Sequence, residues 1–233
     1  AELRGDWSFH KKIWTWPKVM WNAESICHLC TAKGISNDWD ELFWNLEHNN
    51  HQEFSLTQYL AHRMPTRRVC PLIGLCRFHP SVIRWCFMHV LHLGLLYVAN
   101  GATMHLLLSI GICGAVDDSV QTRLHRAYLE FKRWCATHKI ACSQPAFQQK
   151  MLYQRNGDVM LICKAYNGRV VMQWLAETIA GVVEQNIPGA DDRLAPTALC
   201  MLHLARFVLN IEKAGRFLTM EESESIFNDG REF

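Results

Sequence analysis

The sequence predicts a mainly α-helical protein, and three observations carry that expectation. After Ala165, the residues Val170, Val171, Trp174, Leu175, Thr178, Ile179, Val182 and Val183 recur as adjacent pairs every four positions, which makes one broad apolar face of a long helix. Between Arg84 and Asp117 lie 32 residues, Trp85 to Val116, with no Lys, Arg, Asp or Glu. Such a run has to be buried, in a protein core or in lipid. Candidate strands are few and short. One is at Leu3, and the other is a hairpin joining residues 151–153 to 159–162 across Asn156-Gly157, where a loop and helix compete with it.

Taken in order, the chain opens with Trp7, Trp14, Trp16 and Trp21, and Pro17 is the main breaker among them. Asp6 follows Gly5 at the end of the first candidate strand. That is a common place for a metal-binding acid and a still more common one for a solvated turn. Cys27-His-Leu-Cys30 precedes a turn at Lys33-Gly34. Residues 36–54 are polar, and a short helix over 57–62 is stopped by Pro65. Pro65, Pro71, Gly74 and Pro80 make an irregular connection. Ser81 is placed to cap a helix from Val82 to about Val98, which Asn100-Gly101 would interrupt before a second apolar helix over 103–112. Asp117-Asp118-Ser119 then caps a helix to about His138, with Leu124, Ala127, Tyr128, Phe131 and Trp134 at helical spacing. Pro188-Gly189 ends the long helix that starts at Ala165. Another helix covers 196–213, and Thr219 with Glu222 has capping-box spacing for a last one. No repeat, low-complexity tract or linker interrupts this pattern. It reads as a single helical domain or fragment with segments 1–62, 81–138 and 164–227.

With 49% hydrophobic and 20% charged residues, the chain is of the globular class. Net charge is +2, but the charges are unevenly spread. No Asp or Glu occurs from Phe54 to Val116, where Arg63, Arg67, Arg68, Arg77 and Arg84 stand. Glu221, Glu222, Glu224, Asp229 and Glu232 crowd the other end. The basic segment suits nucleic-acid phosphates, the cytoplasmic flank of a membrane span, or a plain solvated surface. The stretch from Leu93 to Val116 is long enough to cross a bilayer, although paired buried helices accommodate Asn100-Gly101 and His105 at lower cost than lipid does. The 10 Cys are scattered through apolar runs, and the polar opening Ala1-Glu-Leu-Arg-Gly-Asp is no signal peptide. Free or metal-bound thiols in a reducing, intracellular compartment are therefore expected rather than disulfides. The start without Met reads as a cut from something longer.

Several spacings bear on metal chemistry. Cys27-x-x-Cys30 is half of a zinc knuckle, because a tight turn lets two thiolates take two corners of a tetrahedron. Two core cysteines explain it equally well. His89-x-x-His92 puts two imidazoles on one face of an α-helix, and His48-x-x-His51, Cys86-x-x-His89 and Cys200-x-x-His203 share that spacing. No single pair is specific in a chain with 12 His. Combined, Cys27, Cys30, His89 and His92 suit a Cys2His2 zinc site, with Cys86 as a neighbouring donor. There is no Gly-x-Ser-x-Gly and no phosphate-cradling glycine loop, and no small-molecule substrate is inferred.

The succession Gly5-Asp6, Cys27-x-x-Cys30, Phe87-Met88-His89 and Leu93-Gly94, with Lys164-Ala165 ahead of a long helix, resembles the C-terminal half of the catalytic region in CACTA (En/Spm-like) transposases. Ile26-Cys-His-Leu-Cys30 and Cys163-Lys-Ala-Tyr-Asn-Gly168 are similar to stretches of transposon-like proteins abundant in dinoflagellate genomes. The resemblance covers most of residues 1–185 on short motifs. It implies an RNase H-like core, a DNA partner, a nuclear location and a DDE-type acidic triad that cuts and joins DNA with two magnesium ions. It implies Asp6 as the second acid of that triad. Cys27, Cys30, His89 and His92 become ligands of a structural zinc, as in the wider group that resembles the V(D)J recombinase. The departures are specific. Where the family has Asp three residues before the His, this chain has Cys86. The first acid would precede Ala1, and the third is unplaced, with Glu130 and Glu177 as the candidates. The resemblance thus implies a zinc-stabilised fragment that is inactive alone, and magnesium matters only if the parent protein is catalytic. The alternatives are a metal-free helical interaction domain and a membrane protein spanning at about 93–116.

Overall fold

The computed structural model describes residues 3–14, 16, 27–33, 53–63, 70–154, 157–185, 191–214 and 218–232. The chain divides into two units, Ala1–Cys86 and Phe87–Phe233. Helices dominate, and among the described residues the strands are two segments of three residues each, so the mainly α expectation holds.

In the first unit, β1 (Leu3–Gly5) pairs in parallel with β2 (Ile83–Trp85), in the register Leu3↔Ile83, Arg4↔Arg84 and Gly5↔Trp85. Asp6 caps α1 (Trp7–Trp14): its carboxylate accepts the Phe9 N–H at 2.6 Å, satisfying one of the amides that a helix start leaves unpaired. The core gathers Trp14, Trp16, Phe54, Tyr59, Cys70 and Ile83. Each buried tryptophan finds an acceptor, with Trp16 Nε1 donating to the Tyr59 hydroxyl at 3.0 Å and Trp14 Nε1 to His10 Nδ1 at 3.2 Å. That second bond fixes the His10 tautomer, so its Nε2–H donates to the Arg84 carbonyl at 2.8 Å and ties α1 to β2. Tyr59 comes from α2 (Leu56–Arg63), the short helix expected over 57–62. Trp21, Gly34, His48, His51, Pro65, Arg67 and Arg68 lie outside the described residues.

The expected helix from Val82 does not form. Pro80–Val82 makes a single tight turn and the next three residues are β2. A π-helical stretch, Met88–Leu95, then runs directly into α3 (Leu96–Ser109). Asn100-Gly101 does not interrupt it, because both residues are used by packing. Asn100 is fully buried and its Nδ2 donates to the Gly168 carbonyl at 2.8 Å. Gly101 lets the backbone of Met160 and Leu161 lie against the helix, where a Cβ would stand 2.6 Å from Met160 Cα. Leu161 N–H closes the contact on the Tyr97 carbonyl at 2.8 Å.

The rest of the second unit follows the apolar periodicity. Ser119 caps α4 (Val120–Thr137) by accepting the Thr122 N–H at 3.1 Å. A short α5 (Gln149–Leu152) leads to one antiparallel bridge, Tyr153↔Val159, at the place of the expected hairpin. Next come α6 (Ala165–Glu184), α7 (Leu194–Lys213) and α8 (Met220–Glu232). The capping box is realised: Glu222 N–H donates to Thr219 Oγ1 at 3.1 Å and Thr219 N–H to the Glu222 carboxylate at 2.8 Å. Phe131 of α4, Phe147 and Trp174 of α6 meet at ring distances of 5.5 to 5.9 Å in the core. Met88–Ser109 and Leu194–Lys213 are each long and apolar enough to cross a membrane. In the second unit Leu96, Met104, Leu106, Leu107 and Leu108 of the first of them are buried in the protein core.

Candidate functional site

Asp6 and Cys86 stand one residue beyond the paired strands, at the same end of the ladder. Cys86 N–H donates to the Gly5 carbonyl at 2.8 Å, the bond that closes the last pair, Gly5↔Trp85. The C-terminal ends of parallel strands are where open sheets gather their ligands. The Cys27–Cys30 turn lies against the same ladder: His28 Nε2 is 3.3 Å from the Ile83 carbonyl, and the His28 ring stacks on Trp16 at 5.0 Å. Within the turn, Leu29 N–H donates to Cys27 Sγ at 3.3 Å, a bond to sulfur that suits a thiolate held for a metal. Cys27 is half-buried and Cys30 buried. Of the basic segment, Arg77 and Arg84 are exposed, and Arg63 ends α2.

His89 and His92 belong to the second unit, and the structure corrects their expected geometry. The stretch that holds them is π-helical, with wider i→i+5 turns, so residues three apart no longer share a face. His89 is exposed, whereas His92 Nε2 is buried with no hydrogen-bond partner. Burial pushes the His92 pKa below its ordinary 6.5, with Glu212 opposing the shift and Arg169 adding to it. The imidazole is therefore held neutral, the form that ligates metal. The unfolded chain takes up this proton before the folded one does. Stability is thus complete above about pH 6.5 and falls as the pH drops below it. The fall in urea midpoint between pH 7.5 and 5.5 is expected to shrink in His92→Leu, and an unchanged fall would show that other groups carry it.

Glu130 and Glu177 line one cleft of about 510 Å³ between α4 and α6. Each already has a partner: Glu130 pairs with Arg133, while Glu177 accepts Trp134 Nε1 at 2.7 Å and lies 3.5 Å from His138 Nε2. Glu177 thereby ties α6 to α4, whereas Glu130 and Arg133 pair within α4. Neither belongs to the unit that holds Asp6. Within each unit, no group of three or more His, Cys, Asp or Glu among the described residues stands ready to hold a metal ion. Burial raises the Cys200 thiol pKa, and His203 Nδ1 faces Asp229. Burial likewise pushes Cys163 up to about 12 and Cys113 to about 11, which leaves both as protonated packing residues.

Comparison of the chain with family models, with curated proteins and with solved structures finds no match. The site residues therefore rest on geometry alone. The stretch Cys163–Gly168 has a structural task at most of its positions. The Cys163 carbonyl accepts the Tyr97 hydroxyl at 2.7 Å, and Gly168 receives Asn100. Buried Asn167 accepts from Ser143 at 3.2 Å and donates to buried Gln144 at 3.3 Å. Lys164 and Asn167 also line a cleft of about 700 Å³ with Tyr97, Ser143 and Gln144. Sequence reasoning missed this amide network, since a buried Asn or Gln leaves no periodic signal. Its one legible sign was the polar Asn100 inside a run with no charges.

Proposed function

We propose that this chain is a zinc-holding, DNA-contacting part of a transposase-like protein with no nuclease activity of its own. The observation that carries the reading is the end of the β1–β2 ladder, where Asp6 and Cys86 each follow the last paired residue and the Cys27–Cys30 turn packs beside the strands. The resemblance puts the second acid of the triad at Asp6 and an Asp where this chain has Cys86, and the two positions follow directly on neighbouring parallel strands. The same place argues against catalysis. Magnesium takes oxygen ligands in near-octahedral geometry, and Cys86 offers sulfur where the family offers a carboxylate. The residues present do not fit a two-magnesium centre. They do suit half of a zinc site, with a thiol pair whose first sulfur already accepts a backbone N–H.

The test is the metal content of the purified chain, beside a Cys27→Ser variant and a titration with duplex DNA. About one zinc per chain is expected, lost together with folding of the first unit in the variant. DNA affinity should fall linearly in log–log form with salt, by a slope of about 0.9 per phosphate contacted. A chain that keeps its fold in strong chelator and ignores DNA would instead be a metal-free helical interaction domain. That second reading is favoured by Glu177, whose carboxylate is occupied in tying α6 to Trp134 of α4.

A further inference from the structure

The C-terminal helix α8 is attached in an unusual way. Helices normally dock by burying an apolar stripe. Among the described residues of α8 the one that is buried is an acid, Asp229, 3% exposed. Met220, 78% exposed, and Phe227, 64% exposed, face outward, while Ile226 is half-buried. The carboxylate of Asp229 enters a polar notch on α7 made by His203, Arg206 and Asn210, which share one helical face. Asn210 Nδ2 donates to it at 3.0 Å, Arg206 Nε lies at 3.3 Å and His203 Nδ1 at 3.4 Å. Beside it, Gly230 lets the α8 backbone approach the Phe207 ring, where a Cβ would stand 3.2 Å from the ring carbon Cε2.

From this geometry we infer that α8 is a releasable latch, docked on α7 chiefly through Asp229, with Ser225 accepting Asn210 Nδ2 at 3.4 Å beside it, and able to open as a unit while α3, α4, α6 and α7 stay packed. An apolar interface loses free energy in proportion to the area it opens, so it yields gradually. A carboxylate held in a polar notch is directional and is lost in one step once its geometry breaks. The helix that depends on it has few buried apolar contacts, the mark of a low-stability segment. Opening bares the polar notch and the Phe207 ring on α7, and releases a helix whose first turn carries Glu221 and Glu222.

Hydrogen exchange of the full chain, read by mass spectrometry under native conditions, tests the latch. Amides of Ser223 to Glu232 should exchange together, at least tenfold faster than those in the middle of α6. Asp229→Asn keeps the shape and removes the charge. It should speed α8 a further tenfold or more and leave α3 and α6 unchanged. Exchange of α8 at the α6 rate in the unmodified chain would overturn the inference, and that readout does not depend on the variant folding. So would exchange graded inward from Glu232 that Asp229→Asn does not alter, which is simple fraying.

Discussion

Phe131→Ala should lower the stability of the second unit by about 3–5 kcal/mol, among the largest losses a single core truncation produces. Phe131 has no exposed surface, and its ring meets Phe147 at 5.5 Å, Trp174 at 5.5 Å edge-on and Tyr128 at 6.5 Å. The three partners come from α4, α6 and the connection before α5, so none can follow the missing ring inward without pulling its own element. The aromatic pairs add about 0.5–1.5 kcal/mol each beyond area burial. The urea midpoint, followed by circular dichroism at constant slope, is the measurement. A loss under about 1 kcal/mol would mean that the cluster is not the centre of this core.

Gly101→Ala is the second, and two effects of opposite sign compete in it. Replacing glycine by alanine inside a helix stabilises it by about 0.8–1.0 kcal/mol. At Gly101, however, the new Cβ would lie 2.6 Å from Met160 Cα and 2.8 Å from Leu161 N. Both are backbone atoms, which cannot swing aside as a side chain does. Overpacking of this kind costs about 1–3 kcal/mol, and the contact is short enough to place the loss at the upper end. A net destabilisation of about 1–2 kcal/mol is expected. Gly181, on α6, has open space where its Cβ would be. Gly181→Ala should therefore raise stability by about 0.8–1.0 kcal/mol. Opposite signs for the two substitutions in one denaturation series would support the close approach at Gly101. Two stabilising results would refute it.

The helices that sequence reasoning recovered are those whose signals are local. In α6, paired apolar residues recur every four positions, and of these Val170, Val171, Trp174, Leu175, Ile179 and Val182 are buried, with Met172 and Ala176 beside them. Ser119 and Thr219 cap the helices they precede. The expectations that failed are those in which a residue's intrinsic preference was weighed without its distant partner. Asn100-Gly101 looked like a break because Asn and Gly are poor helix formers, but the fold supplies Gly168 and the Met160–Leu161 backbone to occupy them. His89 and His92 were aligned on α-helical geometry, which the π-helical stretch withdraws.

The sequence by itself determined the helical class, the buried faces and the caps. These follow from spacings within one turn or two of a single helix, and short-range order is written directly in residue order. The tertiary structure alone decided which polar groups meet. His10 finds Arg84 at a separation of 74 residues, Asn100 finds Gly168 at 68, and Asp229 finds His203 at 26. A hydrogen bond between such groups requires both to be brought within about 3 Å. Packing of the intervening elements sets that distance, and no local pattern records it. The candidate site has the same division. The Cys27–Cys30 turn is legible as a spacing, whereas the placing of Asp6 and Cys86 at one end of the ladder exists only once β1 and β2 have paired in register.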